Sequence, residues 1–528
     1  MSDLSTVLYK NDFTTRMEHP AVEFNVDALK WANIGGPERA SIKGTGDWDI
    51  DEVIQMIRAP VEVFAPNGDC VWWGYVDSIK IADGAIVCGV GMDSVSNRIR
   101  VMYSNIHSPS RKFTLWTSDT DSIARFGTKE LQPTTTVPGT TGANGVRDTM
   151  LSIYKWPSPI IQHNPNNIER FFELTCLGWW NTLAWKYYGG VSQYSPCWGN
   201  DPSTFYDQHL GDSAVTAPSG GTLRAIGQLI TLEYTGSIDS VVMYFAAGSE
   251  PRCPAEIYLM DDNGTINPGS LATDIDASSE VTVSIVEGFE GFEPYVYKFD
   301  TAISRTAGQE IWLLVDSTDK HVGGYYRTYT CQTGGATGRV WNGSVWEAPS
   351  TAFNMVYQLN FTTENSVAFQ DCIDQAGQFI AGHDVVTFGV TTPSDHSGNP
   401  ITALAFLMGL LEAGSSNFRR LIPKITRQRY LRVTEEEVGG ASTATLMIGK
   451  DGVVYNRSGK EVWPSYQDSC GRWCIVAALI PSTLSALRAV DPSVFMIENA
   501  TYQGSDGRAF LHPRGIPGPF EVFSIENR

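Results

Sequence analysis

The chain lacks the long apolar runs, the signal-peptide pattern and the catalytic signatures that would place it quickly. No stretch approaches the roughly 18 apolar residues that a membrane-spanning helix needs. The opening Met-Ser-Asp-Leu-Ser-Thr shows neither the basic nor the apolar region of a signal peptide, so a soluble protein made in the cytoplasm is expected. Charged residues are only 18% of the 528, and with 50 Gly and 27 Pro this points to turns and sheets rather than helical bundles. The nine cysteines (70, 88, 176, 197, 253, 331, 372, 470 and 474) are scattered and odd in number, which argues against a disulfide framework. Cys470 and Cys474 form the one close pair, at neither a redox nor a zinc spacing, and read as buried apolar residues. There is no Gly-rich phosphate loop ending in Lys-Ser/Thr, no Gly-x-Ser-x-Gly elbow and no His-Glu-x-x-His. No two of the eight histidines sit at metal-ligand spacing. His383-Asp384 and Asp395-His396 come nearest to a constellation and read as turn pairs. No catalytic residue and no cofactor is expected.

What is present is β structure in two textures. The length suggests two to four domains, and 42% apolar residues with 15 Trp are ample for packed interiors. Residues 59–65, 71–81 and 85–90 alternate apolar and polar around the turns 66–69 and 83–84, a three-stranded meander. A short helix is expected at 50–57 before it. Residues 131–146 are rich in Thr, Pro and Gly and read as a loop. A strand at 170–178 leads into an aromatic helix at 179–188, which fits against a sheet, a neighbouring subunit or an ordinary core. From 217 to 361 short apolar strands recur at 222–232, 241–245, 255–260, 295–299, 311–315 and 354–361, the rhythm of a sandwich or jelly roll. Helices follow at 365–381, 401–411 and 481–490, then a hairpin of 494–502 with 509–512.

Charge is unevenly spread. The net charge is −20, and residues 217–362 hold 17 acidic against 7 basic residues, half the excess in under a third of the chain. That disfavours nucleic acid as a ligand of this segment and suits neutral sugars, a cationic surface or calcium. Three groups of residues stand out within this pattern. Tyr325, Tyr326, Tyr329, Trp341 and Trp346, with Asn342, could stack on sugar rings and bind hydroxyls. The alternative is that Trp341 and Trp346 simply pair across a hairpin. Arg419, Arg420, Lys424, Arg427, Arg429 and Arg432 form a basic block, either a solvated face or a subunit interface. Asp261, Asp262 and Asn263 resemble half of a calcium loop without its later bidentate Glu, so a turn explains them and no metal is expected.

The residues from Leu29-Lys-Trp-Ala-Asn-Ile-Gly-Gly-Pro-Glu-Arg-Ala-Ser-Ile-Lys43, through Pro60-Val-Glu-Val-Phe64, to Trp73-Gly-Tyr-Val-Asp-Ser-Ile79 resemble the start of tail hub proteins of tailed bacteriophages. Phe172-Glu-Leu-Thr-Cys-Leu-Gly-Trp-Trp-Asn-Thr-Leu183 and the closing Phe495-Met-Ile-Glu-Asn-Ala-Thr-Tyr-Gln503 with Pro513-Arg-Gly515 are similar to later passages of such proteins. Separately, Gly221-Thr-Leu, Asn267-Pro-Gly269 and Ala307-Gly-Gln-Glu-Ile-Trp-Leu-Leu-Val315 resemble the jelly-roll modules of surface-binding proteins. The resemblance implies a trimeric ring at the distal end of the tail, within the virion, contacting a distal tail or tail tube protein and tail tip or fibre proteins. It also implies a lumen through which DNA passes in transit, and an insertion that binds host surface carbohydrate.

The expected fold is mainly β with α+β parts, an interrupted β-barrel-containing hub core carrying one inserted β-sandwich (jelly roll). Its segments are 1–130 (N-terminal barrel), 131–215 (second hub segment with the aromatic helix), 216–362 (the sandwich) and 363–528 (C-terminal α+β/β-barrel part). Residues before 215 and after 363 should then pack together. No membrane insertion is expected. The rivals are a hexameric distal tail protein with a carbohydrate-binding insertion, a secreted glycan-binding or glycan-cleaving enzyme using two carboxylates, and a cell-surface adhesin.

Overall fold

A computed structural model of the chain describes residues 4–435 except 20, 66–67, 106–107, 138, 167–168, 197–205, 211–224, 250–254, 263, 265–266, 269–274, 282–292, 317–324, 332–336, 342–344, 350, 385, 387, 389–390, 393–400 and 418, and beyond these 446–448, 454–456, 466–467, 473–474, 488–489, 497–503, 508–513 and 520–524. The fold is mainly β.

The core is one eleven-stranded sheet curled into a half-barrel. Its path runs Ser5–Leu8, Pro60–Phe64, Cys70–Asp83, Arg170–Leu177, Gly36–Gly46, Val22–Ala32, Ile497–Gln503, Arg508–Pro513 and Phe520–Ser524. The meander read from the sequence supplies Pro60–Phe64, Cys70–Asp83 and Ile86–Gly91. The long middle strand pairs Cys70–Tyr75 with one neighbour and Ser78–Asp83 with the other, along the same edge. In Val22–Ala32 the buried set shifts phase, from Val26 to Leu29 and Trp31. A register shift between Val26 and Ala28 causes it, since one extra residue moves every later side chain to the opposite face. Gly44 has a packing reason. A Cβ there would lie 2.1 Å from Cζ of Phe172, whose buried ring fills that space against Trp48.

Strands from both ends of the chain therefore share this sheet, with Ala28–Ala32 paired to Asn499–Gln503. A second seam lies at the tip of the Val22–Gly46 hairpin. Gly35 donates its N–H to the Pro423 carbonyl (2.8 Å), and Ile425 N–H returns to the Gly35 carbonyl (3.2 Å). Gly35 holds φ +88°, and a Cβ there would press on Trp180, 2.6 Å away, so only glycine fits the docked turn.

Trp179–Trp185 is a 3-10 helix with Trp179, Trp180, Leu183 and Trp185 buried. Its rings meet Phe13, Tyr75 and Phe379 at 5.3–5.6 Å, so this aromatic segment belongs to the core. Helix Ala403–Ala413 packs against it, capped by Thr402 and stopped at Gly414 (φ +80°). Helix Asn365–Ala376 also lies near the expected position, and most of the third expected helix, 481–490, lies outside the described residues. Within 481–490 only Arg488–Ala489 is described, and it forms a short strand beside Leu446–Ile448. The loop reading of 131–146 is corrected too. A helix, Thr140–Tyr154, begins inside it. Its Ala143, Val146, Met150 and Leu151 pack on Ile99, Val101 and Tyr103, and that burial outweighs the weak helix propensity of Thr and Gly.

The sandwich has a six-stranded sheet (Ala225–Thr231, Ala255–Asp261, Ile275–Val281, Glu310–Asp316, Gly338–Trp341, Trp346–Glu347) and an eight-stranded one. The chain crosses between them at most connections, as in a jelly roll. Ile226, Ile257, Leu259, Leu313, Val315 and Val340 of one face Val241, Met243, Tyr297, Phe299, Leu359 and Phe361 of the other in a continuous core. The module is wider than 216–362. Ser192–Tyr194 and Tyr206–Leu210 join the eight-stranded sheet beside Tyr357–Glu364 and Tyr325–Cys331, satisfying backbone groups at those strands. Cys331 is disulfide-bonded, so at least one cross-link exists where the cysteine spacing suggested none.

Sandwich and core meet at one buried carboxylate. Asp371 of Asn365–Ala376 accepts hydrogen bonds from Tyr188 Oη (2.5 Å), Tyr234 Oη (2.8 Å) and Gln375 Nε2 (2.9 Å). Tyr188 comes from the core side and Tyr234 from the loop between the sandwich strands Ala225–Thr231 and Gly236–Ser249. Burial pushes the Asp371 carboxyl above its usual range, against the opposing pull of these hydrogen bonds. A carboxyl raised in the folded state contributes stability that is complete below its unfolded value of about 3.9 and is lost as pH rises through the folded value. Urea unfolding between pH 4 and 7 should show this dependence in the native chain and a flatter one in Asp371→Asn. Asp371→Ala should cost roughly 2–3 kcal/mol, because two buried phenols lose their acceptor.

Candidate functional site

The glycan candidates divide between two sheets. Trp341 and Trp346 are direct cross-strand partners, their rings 5.5 Å apart and tilted by 52°. Tyr325, Tyr326 and Tyr329 lie on the Tyr325–Cys331 strand of the other sheet, so the five aromatics do not form one platform. The side chains of those tyrosines, and Asn342, lie outside the described residues. The half-buried Trp pair stands on the outer face of the six-stranded sheet. Register places Glu256, Asp316, Ala225, Trp341 and Trp346 side by side across it. Small Ala225 separates the carboxylate end of this row from the aromatic end. Trp346 rests over Gly227, where a Cβ would meet its ring at 3.6 Å and Pro268 at 3.4 Å. Next to it Tyr258, Met260, Trp312 and Leu314 are buried, so only the Trp341–Trp346 end offers an accessible ring face within this cluster.

The calcium candidates are engaged in other work. Asp261 pairs with Arg305 at 2.8 Å. Asp262 accepts from Trp312 Nε1 (3.1 Å) and from the N–H of Gly264 (3.2 Å), a turn interaction, and Asn263 lies outside the described residues. Among the described residues no group of three or more His, Cys, Asp or Glu is placed to hold a metal ion. His383 lines a small cavity of about 140 Å³ with Ser366, Phe369 and Gln370, but Ser366 Oγ is turned to Glu364 (3.4 Å). The other histidine–aspartate pair of the sequence, Asp395 and His396, lies outside the described residues.

The basic block is dispersed, because only Lys424 and Arg432 lie in the Leu421–Ile425/Tyr430–Glu435 hairpin strands, while Arg419 and Arg420 precede them and Arg427 and Arg429 sit in the turn between them. Arg427 makes a two-point contact with Glu62 (2.8 and 2.9 Å), which also accepts from Tyr9 Oη at 2.8 Å. Arg419 lies 3.7 Å from Glu435. Arg429 stacks 3.6 Å over the Phe13 ring and donates to the Phe379 carbonyl. These three thus make contacts within the chain. Arg420 is half-buried and also has an interaction within the chain.

Lys424 and Arg432 remain together. They are direct cross-strand partners and face a groove of about 410 Å³. Trp31, Pro37 and Trp73 of the core sheet form one wall, and Ile422, Thr426 and Thr434 flank the cations. Trp73 Nε1 donates to the Ile425 carbonyl (3.0 Å) and holds the wall to the hairpin. Burial pushes the Lys424 amine down to about 8. Such a groove is suited to a carboxylate, which would neutralise both cations while an apolar neighbour rests on the partly exposed Trp73 indole. Sequence reading found the cations but not Trp31, Trp73 or Glu62, since the groove exists only where distant segments meet.

No protein-family model and no curated protein matches the chain. Among solved structures it aligns with a glycoside hydrolase family 43 arabinoxylan arabinofuranohydrolase from Bacillus subtilis at TM-score 0.16 and 10% identity, covering 55% of this chain and 63% of that one. It also aligns with the mosquito-larvicidal Cry4Aa toxin from Bacillus thuringiensis at TM-score 0.16 and 9% identity, covering 59% and 52%. The aligned region spans less than two thirds of either protein. Likeness at this level carries no argument about fold or function.

Two expectations follow. Lys424→Met should stabilise the isolated chain at pH 7, because it removes a cation that burial disfavours. A depressed lysine costs stability below its folded value, and the cost fades as pH rises from about 8 toward the ordinary 10.5, so the gain should shrink over that interval in denaturant titrations. If the half-buried Trp pair binds sugar, Trp341→Ala or Trp346→Ala should leave folding intact and weaken retention on immobilised neutral polysaccharide. Unchanged retention in both variants would remove the sugar-binding assignment.

Proposed function

We propose that the chain is a structural protein of a bacteriophage tail, the three-fold hub that joins the tail tube or distal tail ring to the tail tip. The cationic groove at the seam of an acidic chain is the observation that carries this reading. A closed ring of identical subunits needs two different surfaces, one on each side of the subunit, that complement each other. Lys424 and Arg432 supply a positive surface on a chain of net charge −20, so the complementary negative surface is available on any neighbouring copy. The resemblance of the opening, middle and closing segments to tail hub proteins supports the same assignment.

In this reading the curled core sheet lines part of the tube, and DNA passes the acidic protein without adhering. The sandwich faces outward, and its Trp341–Trp346 pair contacts host surface glycans. The chemistry is recognition and assembly, not turnover, and the protein resides at the distal end of the tail. Distal tail and tip or fibre proteins are its neighbours above and below.

Copy number tests the proposal. Native mass spectrometry of the purified chain, with imaging of the particle that contains it, should give three copies in a ring. Charge reversal at Lys424 and Arg432 together should weaken association at least tenfold without unfolding the subunit. Six copies would replace the hub reading with that of a distal tail ring, and a monomer in the particle-producing lysate would overturn the virion assignment.

A further inference from the structure

A second cationic feature lies beneath the N-terminal loop and is separate from the groove. Among the described residues, three non-glycine residues hold a left-handed backbone: Phe13 (φ +63°), Arg58 (φ +68°) and Arg429 (φ +62°). They come from three distant segments, yet they meet. The guanidiniums of Arg58 and Arg429 stand over the same Phe13 ring, at 5.1 and 3.6 Å from its centroid. Arg58 also lies 4.2 Å from the Phe379 ring and 5.8 Å from that of Trp179. Each of the three occupies a turn position where glycine would be easier, so the side chains are kept at the expense of backbone strain.

The charges in this cluster are uncompensated. Arg58 is only 4% exposed, donates Nη1 to Asn11 Oδ1 (3.0 Å), and has no partner for its buried Nε. Asn11 in turn donates Nδ2 to the carbonyl of Arg125, a third guanidinium of the cluster, whose own Nη2 reaches the Gln55 carbonyl at 2.7 Å. No carboxylate among the described residues pairs with Arg58, Arg125 or Arg429. Asp12, next to Phe13, is committed to its own turn through Thr14 N–H (2.9 Å) and Thr15 N–H (2.8 Å). Burial and the two neighbouring arginines push Arg58 down to about 10. Ring faces attract a guanidinium, but they neither neutralise it nor satisfy a buried N–H.

We propose that the Arg58, Arg125 and Arg429 cluster is a binding site for one small oxyanion of the phosphate or carboxylate class. Arg58 offers the unpartnered Nε as the inner donor, and the half-buried Arg125 and Arg429 close on the ligand from the sides. Forked N–H donors match oxyanion geometry, and the anion removes the mutual repulsion of the three cations. The bound ion then fastens the N-terminal loop, the segment after helix Ile50–Ile54 and the C-terminal hairpin turn to one another.

The test uses the full chain and inorganic phosphate. Melting temperature should rise saturably with phosphate at constant ionic strength set with chloride, and titration calorimetry should give one site per chain. Arg429→Gly suits the left-handed turn and should fold, while binding phosphate at least tenfold more weakly; Arg125→Gln should do the same without touching a strained position. Lys43→Gln, at an exposed ion pair with Glu169 away from both cationic sites, should keep the full response. No phosphate effect beyond that of chloride, or an effect undiminished in both Arg429→Gly and Arg125→Gln, would overturn the proposal.

Discussion

The structure depends on one pairing constraint: the Val22–Ala32 strand has two edges, and both must be hydrogen-bonded. Its hairpin partner Gly36–Gly46 covers one edge, and Asn499–Gln503 from the other end of the chain covers the second along Ala28–Ala32. A buried strand with an open edge leaves a row of unsatisfied backbone groups and an invitation to mispair. The core sheet is therefore complete only after nearly the whole chain has been made. The sandwich, which follows Arg170–Leu177 in the chain, has to leave the core before Ile497–Gln503 returns to it. The Tyr188–Asp371–Tyr234 contact marks the return, because it binds a residue before the sandwich, one within it and one after it to a single carboxylate.

Cations concentrate where the Leu421–Glu435 hairpin meets the N-terminal part of the core. Arg427 reaches across to Glu62, Lys424 and Arg432 face the groove walled by Trp31 and Trp73, and Arg429 lies over Phe13. In an acidic chain this is a useful division. Internal carboxylate partners fix the seam, and the cations left without one supply attraction for an acidic neighbour. Burial sharpens the effect, since an amine held near 8 gains more from a carboxylate than one already in water. The assembly proposal and the oxyanion proposal draw on the same physics at two separate places.

Much of the fold was legible because period and turn chemistry agreed. The meander of Pro60–Phe64, Cys70–Asp83 and Ile86–Gly91, the strands Ala225–Thr231, Ala255–Asp261 and Glu310–Asp316, and the helix stopped by Gly414 all follow from local pattern. What was not legible depended on contacts between distant segments. The Thr140–Tyr154 helix exists because Ile99, Val101 and Tyr103 cover its apolar side, not because its first residues favour helix. Ser192–Tyr194 and Tyr206–Leu210 gave no strand signal and are recruited by sheet edges. For the site, the pairing of Trp341 with Trp346 was readable from the intervening turn, but the separation of Tyr325, Tyr326 and Tyr329 onto another sheet was not. The basic block was visible as composition, whereas only the folded hairpin and its turn decide that Arg427 meets Glu62, Arg429 meets Phe13, and Lys424 and Arg432 face the groove.

Native-state hydrogen exchange tests the central claim, that both ends of the chain build one core around the sandwich. The amides of Ala28–Ala32 and Asn499–Gln503 should be protected together and open with the same free energy, because each strand covers the other's edge. Exchange of Asn499–Gln503 at the rate of an unfolded peptide, with Val22–Ala32 still protected, would contradict the account.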